Sequence, residues 1–243
     1  MRVAIISDVH SNLEALRAVL ADADDRRVDG LWCLGDIVGY GPEPSECLAI
    51  VRERASLCLS GNHDLGTVGA LSLEEFNAYA AAANAWTGEL LSDAERQWLG
   101  GLPTKLVSGD VTLAHGTPRD PVWEYLLSVP VAMATFEYFS TRLCFVGHSH
   151  VPVVTTEPEE GERCVLYEFP KEPLELGDKR LIANPGSVGQ PRDRDPRSSY
   201  LIYDRDADIL EHRRVSYDIE ATQGRMREAG LPGYLIDRLS HGT

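Results

Sequence analysis

Seven side chains of metal-ligand type stand at the ends of separate apolar runs: Asp8, His10, Asp36, Asn62, His115, His148 and His150. The runs read VAIISDVH, LWCLGD, LCLSGNHD, VTLAHG and RLCFVGHSH, and they hold five of the seven histidines (His10, His63, His115, His148 and His150). Imidazole, carboxylate and amide oxygen, with no thiolate, suit Mn, Fe, Zn or Ni. Asp8 and His10 are spaced i, i+2, as are His148 and His150. On extended backbone such pairs point the same way and reach one ion. A lone D-x-H reads equally well as a capping Asp beside a surface His. Here D-x-H, G-D-x-x-x-x-G, G-N-H-D, H-G and G-H-x-H follow one another, each after a strand-like run. Two ions about 3.5–4 Å apart acidify a bridging water and polarise phosphoryl oxygens. Two divalent ions, less two aspartates and one hydroxide, leave a charge of about +1, which attracts an anionic ester locally. A histidine outside the ligand set suits protonation of a leaving alkoxide, because its ordinary pKa lies near neutrality.

The elements that must position these residues alternate in the first half. Residues 2–7 predict a buried strand, Ser11 a cap for a helix to about Arg26, and Leu31–Leu34 a second strand. Gly39, Gly41, Pro42 and Pro44 predict a turn before a helix to about Arg54, and residues 57–60 a third strand. This order implies an α/β sheet with parallel strands. The Ala-rich stretch 70–100 predicts two helices broken near Gly88–Ser92. Beyond it, short strands are expected at 104–107, 111–114, 142–146, 151–156, 164–168, 181–183, 199–203 and 208–213. Helix is expected within 120–139, loops at 157–162 and 170–179, and an interrupted helix over 217–239. These breaks are too short for domain linkers, so one domain over 1–243 is expected.

The chain has 243 residues and a formal net charge of -15, with only three lysines. No basic block stands out, which argues against an extended nucleic-acid surface. Five cysteines, none in C-x-x-C, fit packed thiols in a reducing cytoplasm. No run is long enough for a membrane helix. The sequence holds no P-loop, G-x-S-x-G elbow or H-E-x-x-H.

Taken together, Asp8–His10, Gly35–Gly41, Gly61–Asp64, His115–Gly116 and Gly147–His150 resemble the motif set of the calcineurin-like metallophosphoesterase superfamily, closest to its small bacterial and archaeal phosphodiesterases. The resemblance implies a four-layer αββα sandwich with two mixed β-sheets. It implies two divalent ions: Asp8, His10 and His150 on one, Asn62, His115 and His148 on the other, Asp36 bridging. It implies His63 as general acid; Asp64 either orients His63 or caps the following turn. Asn62 and His63 would also meet the substrate.

One departure narrows the reading. Phosphoprotein phosphatases of the superfamily carry an Arg where this chain has Tyr40, so a guanidinium clamp cannot come from that position. Arg119, on HGTPRD, and Arg192 are the substitutes, unless each forms a surface salt bridge. Trp123 and Tyr125 either stack on a substrate ring or pack in the core. Asn184-Pro185-Gly186-Ser187 is similar to a tail motif of the small phosphodiesterases and is either a plain turn or a support for the site. The expected function is hydrolysis of a small phosphodiester by metal-bridging hydroxide. The alternatives are a phosphomonoesterase (protein or nucleotide phosphatase) and a non-catalytic binding scaffold. The partner is a small phosphate ester, with no membrane; an oligomer is left open.

Overall fold

A computed structural model describes residues 1–243. It opens with β1 (Arg2–Ile6), α1 (Leu13–Asp25), β2 (Gly30–Cys33), α2 (Pro44–Arg54), β3 (Ala55–Cys58) and α3 (Asn62–Thr67). The middle holds α4 (Ala78–Leu90), α5 (Asp93–Gly100), β4 (Lys105–Ser108), β5 (Val111–Ala114), α6 (Val129–Thr135), β6 (Leu143–Val146) and β7 (Val153–Thr156). It closes with β8 (Leu174–Glu175), β9 (Leu181–Asn184), β10 (Ser198–Asp204), β11 (Ile209–Val215), α7 (Ile219–Glu228) and α8 (Gly233–Asp237).

The strands form two mixed sheets, ordered β3-β2-β1-β10-β11-β8 and β4-β5-β6-β9-β7. β1 runs parallel to β2 and antiparallel to β10, so the chain's second half returns to flank its first strand. In β1 the side chains alternate between two cores. Val3 and Ile5 face Trp32, Leu113, Phe145 and Tyr203 between the sheets. Ala4 and Ile6 face Leu16, Val19, Cys47 and Leu48 of α1 and α2. A third apolar cluster joins Ala132 of α6 to Cys144 and Ile182 on the outer face of the second sheet. The result is the expected αββα sandwich with helices outside. No helix is long and apolar enough to cross a membrane.

Four local expectations are corrected. Asn12, not Ser11, caps α1: its side chain accepts from the Ala15 N–H at 3.2 Å. Residues 164–168 form no strand beyond one bridge, Tyr167 to Val154, whereas 170–179 holds the short β8. Helix in 120–139 is confined to α6 and a 3-10 turn over Phe136–Tyr138. The Asp120 carboxylate accepts from the N–H groups of Val122 and Trp123, making a turn that competes with helix there. Lastly, the GNHD segment itself starts a helix, α3, which the sequence reading left unassigned.

Candidate metal centre

The ligand-type residues converge at one rim of the sheets, beyond β1, β2, β5 and β6. Asp8, His10, Asp36 and His150 form one group and Asp36, His115 and His148 a second, with the ligand atoms of each group within 4.8 Å of one another. All are buried. His150 Nε2 lies 3.3 Å from Asp8 Oδ1 and 3.0 Å from His10 Nε2. Asp36 Oδ2 stands between the groups, 3.7 Å from His10 Nε2 and 3.4 Å from His115 Nε2. Asn62 Oδ1 and His148 Nδ1 each lie 3.2 Å from His115 Nε2.

The i, i+2 pairs converge, but not on extended backbone. Asp8, His10, Asp36, His148 and His150 all have φ between 50° and 64°. This left-handed region costs non-glycine residues energy and persists where surroundings enforce it. At Asp8 and the 147–150 turn enforcement comes from the Asn184–Gln190 loop, and the His10 N–H donates to the Asp36 carbonyl at 2.9 Å. The Gly189 N–H and the Ser187 hydroxyl both donate to the Asp8 carbonyl (2.9 and 2.8 Å), and Asn184 Nδ2 donates to the Gly147 carbonyl at 2.7 Å. The loop supports the site, as well as turning the chain. Close approach does the rest: a Cβ on Gly61 would collide with Asp36 Oδ1.

The donor set fits divalent cations. Nδ1 of His10, His115 and His150 meets the carbonyls of Val38 (3.1 Å), Leu34 (2.9 Å) and Gln190 (2.6 Å). A carbonyl only accepts, so each Nδ1 carries the proton and each Nε2 turns its lone pair inward. Asp36 Oδ1 accepts from the His63 N–H and Asp8 Oδ2 from the His148 N–H, while Asp36 Oδ2 and Asp8 Oδ1 have no hydrogen-bond partner. Inward lone pairs and unpaired buried carboxylate oxygens are what a cation would satisfy. The titration behaviour agrees in sign. Burial holds His148 down to about 3 and His10 well below its usual value, the neutral form that ligation needs. At His115 burial is outweighed by Asp36 and Asp8, which push it up to about 9, marking a point where positive charge is favoured.

His63 sits beside this set, its ring 4.9 Å from that of His10. Its Nδ1 donates to Asn84 Oδ1 at 2.8 Å. Asp64 does not touch the ring: its two oxygens accept from the N–H groups of Val38 (3.0 Å) and Gly61 (2.9 Å), pinning the start of α3 against the Asp36 loop. Between orienting and capping, Asp64 therefore caps. Sequence reasoning missed Asn84; its signal was one buried amide in the alanine run YAAAANAW of α4. Burial lowers His63 to about 4, opposed by Asp36 and by the Asn84 hydrogen bond.

Arg119 is paired with Glu124 on the surface, the salt-bridge alternative expected for it. Arg192 stays near: its guanidinium carbon lies 5.9 Å from the Tyr40 ring centre, held by Gln190 Oε1 at 2.8 Å. Tyr125 is not a core residue. It is partly exposed and stacks on His148 with ring centres 4.1 Å apart and planes at 3°. Trp123 packs edge-on against Phe76.

A model of the calcineurin-like phosphoesterase superfamily domain matches residues 1–208. The chain is 42% identical over 245 residues to the uncharacterized protein MJ0912 of Methanocaldococcus jannaschii, covering 99% of this chain and 98% of that one. The crystal structure of a metallophosphoesterase from Sphaerobacter thermophilus superposes with a TM-score of 0.92 at 49% identity, covering 100% of this chain and 99% of that one. The hypothetical protein PH1004 of Pyrococcus horikoshii OT3 shares the fold, with a TM-score of 0.80 at 19% identity over 100% of this chain and 98% of its own.

Proposed function

Because this chain belongs to the calcineurin-like phosphoesterase superfamily, which acts on phosphate esters, we propose that it is a dinuclear metal-dependent phosphodiesterase acting on a small phosphodiester. The observation that carries this reading is Asp36, whose unpaired Oδ2 stands in both ligand groups. Asp8, His10 and His150 would hold one ion, Asn62, His115 and His148 the other, and Asp36 both. Divalent ions there supply Lewis acidity and lower the pKa of water.

The chain's own residues do the rest. A water-derived oxygen bonds to phosphorus as the bond to the leaving oxygen breaks, and the leaving alkoxide needs a proton. With Nδ1 committed to Asn84, His63 offers Nε2 to carry that proton. An incoming phosphate favours the protonated ring and opposes the burial that lowers its pKa. Tyr40 packs against His10 and His63 at 4.7 and 4.3 Å between ring centres, where a guanidinium would otherwise stand. A site with less fixed positive charge suits the singly charged diester better than a dianionic monoester.

A phosphomonoesterase is the second reading, favoured by Arg192 beside Tyr40. A shorter likeness points to nucleotide substrates without favouring a monoester: the chain is 38% identical over 72 residues to the symmetrical bis(5'-nucleosyl)-tetraphosphatase of Photorhabdus laumondii, covering 26% of that protein. The complete ligand set speaks against a scaffold. Manganese-loaded protein is expected to hydrolyse bis-(p-nitrophenyl) phosphate with a higher kcat/KM than p-nitrophenyl phosphate. The reverse order selects the monoesterase, and no turnover with Mn, Fe, Zn or Ni selects the scaffold. His63→Ala should keep its metal and lose roughly 10²–10⁴-fold in turnover, the usual worth of a general acid.

A further inference from the structure

Tyr40 has a second neighbour. Beside its ring opens a groove of about 420 Å³, walled also by Tyr79, Tyr125, Arg192, Tyr234 and Arg238. That volume suits a small organic ligand. The groove joins the metal centre through two of its walls, since Tyr40 packs on His10 and His63 and Tyr125 stacks on His148. Tyr234 and Arg238 come from α8 and the turn after it, beyond residue 208 where the family domain ends. This wall therefore lies outside the matched family domain.

The groove brings together two arginines that form no ion pair with Asp or Glu, Arg192 and Arg238. Arg213, Arg214 and Arg225 each sit within 4.0 Å of a carboxylate. Neither Arg192 nor Arg238 has a side-chain carboxylate in that range. Arg192 is fixed by Gln190 Oε1, and its backbone N–H donates to the His150 carbonyl at 3.3 Å, which ties it to a ligand loop. Arg238 Nε donates to the Thr243 main-chain oxygen, and its guanidinium carbon lies 5.3 Å from the Tyr234 ring centre. Burial and the Arg192 charge both disfavour the cationic form of Arg238, so the two guanidiniums share one field. Two half-buried guanidiniums beside a phosphate-ester site, neither paired with Asp or Glu, form a receptor for anion, with the Thr243 oxygen as the group an anion would displace from Arg238. The tyrosines add aromatic faces: Tyr79 and Tyr234 stack at 5.0 Å and are 48% and 54% exposed.

We infer that this groove is a second anion subsite, selecting phosphate substrates in which a further phosphate is joined to the reacting one through a phosphoanhydride and an aromatic ring lies beyond it, the chemistry of a nucleoside oligophosphate. Arg192 and Arg238 grip the further phosphate, and the tyrosines receive the ring. The inference rests on the proposed phosphoesterase reading for the reacting phosphate, but the groove itself is testable without it. In chelator-treated protein the metal centre cannot hold phosphate, so calorimetry reads the groove alone. ADP is expected to bind at least about tenfold more tightly than adenosine, and Arg238→Ala to weaken ADP by about tenfold, the worth of one charge-assisted hydrogen bond. Arg238→Gln, of similar volume, should do the same and guards against a misfolded alanine variant. With manganese restored, ADP should inhibit hydrolysis of bis-(p-nitrophenyl) phosphate, and Arg238→Gln should raise its inhibition constant more than it raises KM for the diester. Equal binding of ADP and adenosine, or unchanged ADP affinity in Arg238→Gln, overturns the subsite whether or not simple esters turn over. Selective ADP binding in a protein that hydrolyses no ester supports the subsite and overturns the reading of the metal centre.

Discussion

The slab between the sheets and the rim beyond their strand ends are equally buried and held in opposite ways. In the slab, Val3, Ile5, Trp32, Leu113, Phe145 and Tyr203 pack side chain on side chain. At the rim, Asp8, Asp36 and His148 keep buried atoms without hydrogen-bond partners, on backbone in the left-handed region. The slab is stable because water is excluded. The rim is stable because loops clamp it and because a cation would satisfy its inward lone pairs. Burial of the same extent therefore means stability in one place and stored demand in the other.

Removing apolar volume should expose the first half of that contrast most strongly. Phe145 touches Trp32 and Tyr203 at 6.4 and 6.0 Å between ring centres. Phe145→Ala should cost about 3–5 kcal/mol of unfolding free energy. Denaturant titrations with and without chelator should give the same loss, and a loss confined to metal-loaded protein would break the comparison.

The rim should answer to metal instead. Saturation at about 100 times the dissociation constant stabilises the fold by about 2.7 kcal/mol, which for a chain of this size raises Tm by roughly 5–10 °C. Asp36→Asn tests the origin of that gain. The oxygen of the new amide would still accept from the His63 N–H, and its NH₂ group would donate toward the Nε2 lone pair of His10. The variant should gain almost nothing from metal over its own melt in chelator, and lose turnover. A metal-dependent rise in Tm as large as that of wild type would remove Asp36 from the centre.

A smaller effect separates positioning from coordination. Asn84 touches His63 Nδ1 and none of the ligand atoms. Asn84→Ala should leave metal content intact and lower kcat by about tenfold, the lower range for loss of an outer-shell partner. Asn84→Asp keeps an acceptor for Nδ1 and should recover part of the loss. An alanine variant that loses metal would show Asn84 to be structural.

The ligand set was legible because coordination constrains residue type. Few other demands would place Asp, His and Asn after successive apolar runs. The sheet strands were legible for the same kind of reason, since β1 and β6 are short apolar runs ending at polar turns. What escaped depends on contacts distant in sequence. Asn84 is one amide in a helix whose composition speaks only of alanine, and its role appears once α4 packs beside α3. α3 is six residues with a glycine inside, a poor helix by propensity, made by Asp64 bonding Gly61 and Val38. The left-handed ligands escaped as well, because Asp8 and the His148–His150 turn are held by residues 184–190, more than 30 positions beyond His150, and His10 by bonds to the Asp36 loop. Arg119 forms an ion pair with Glu124, five residues on, a partner that the HGTPRD motif alone does not name.

The smallest contrast lies outside both regions, on the outer face of the first sheet. The Tyr200 hydroxyl, under α1, donates to Asp22 Oδ2 at 2.6 Å, and Arg213 and Arg26 approach the same carboxylate. Partial burial raises the Asp22 pKa, but the Tyr200 hydroxyl and Arg213 outweigh it and hold the value below the usual carboxylate range. A depressed folded pKa gives stability that is full above the unfolded value of about 3.9 and is lost as pH falls through the folded one. Tyr200→Phe removes the donor and should cost about 1 kcal/mol at neutral pH. The gap from wild type should narrow in acid, and chelator should not change it. A gap that widened as pH fell would mean that the hydroxyl matters for packing and not for the carboxylate.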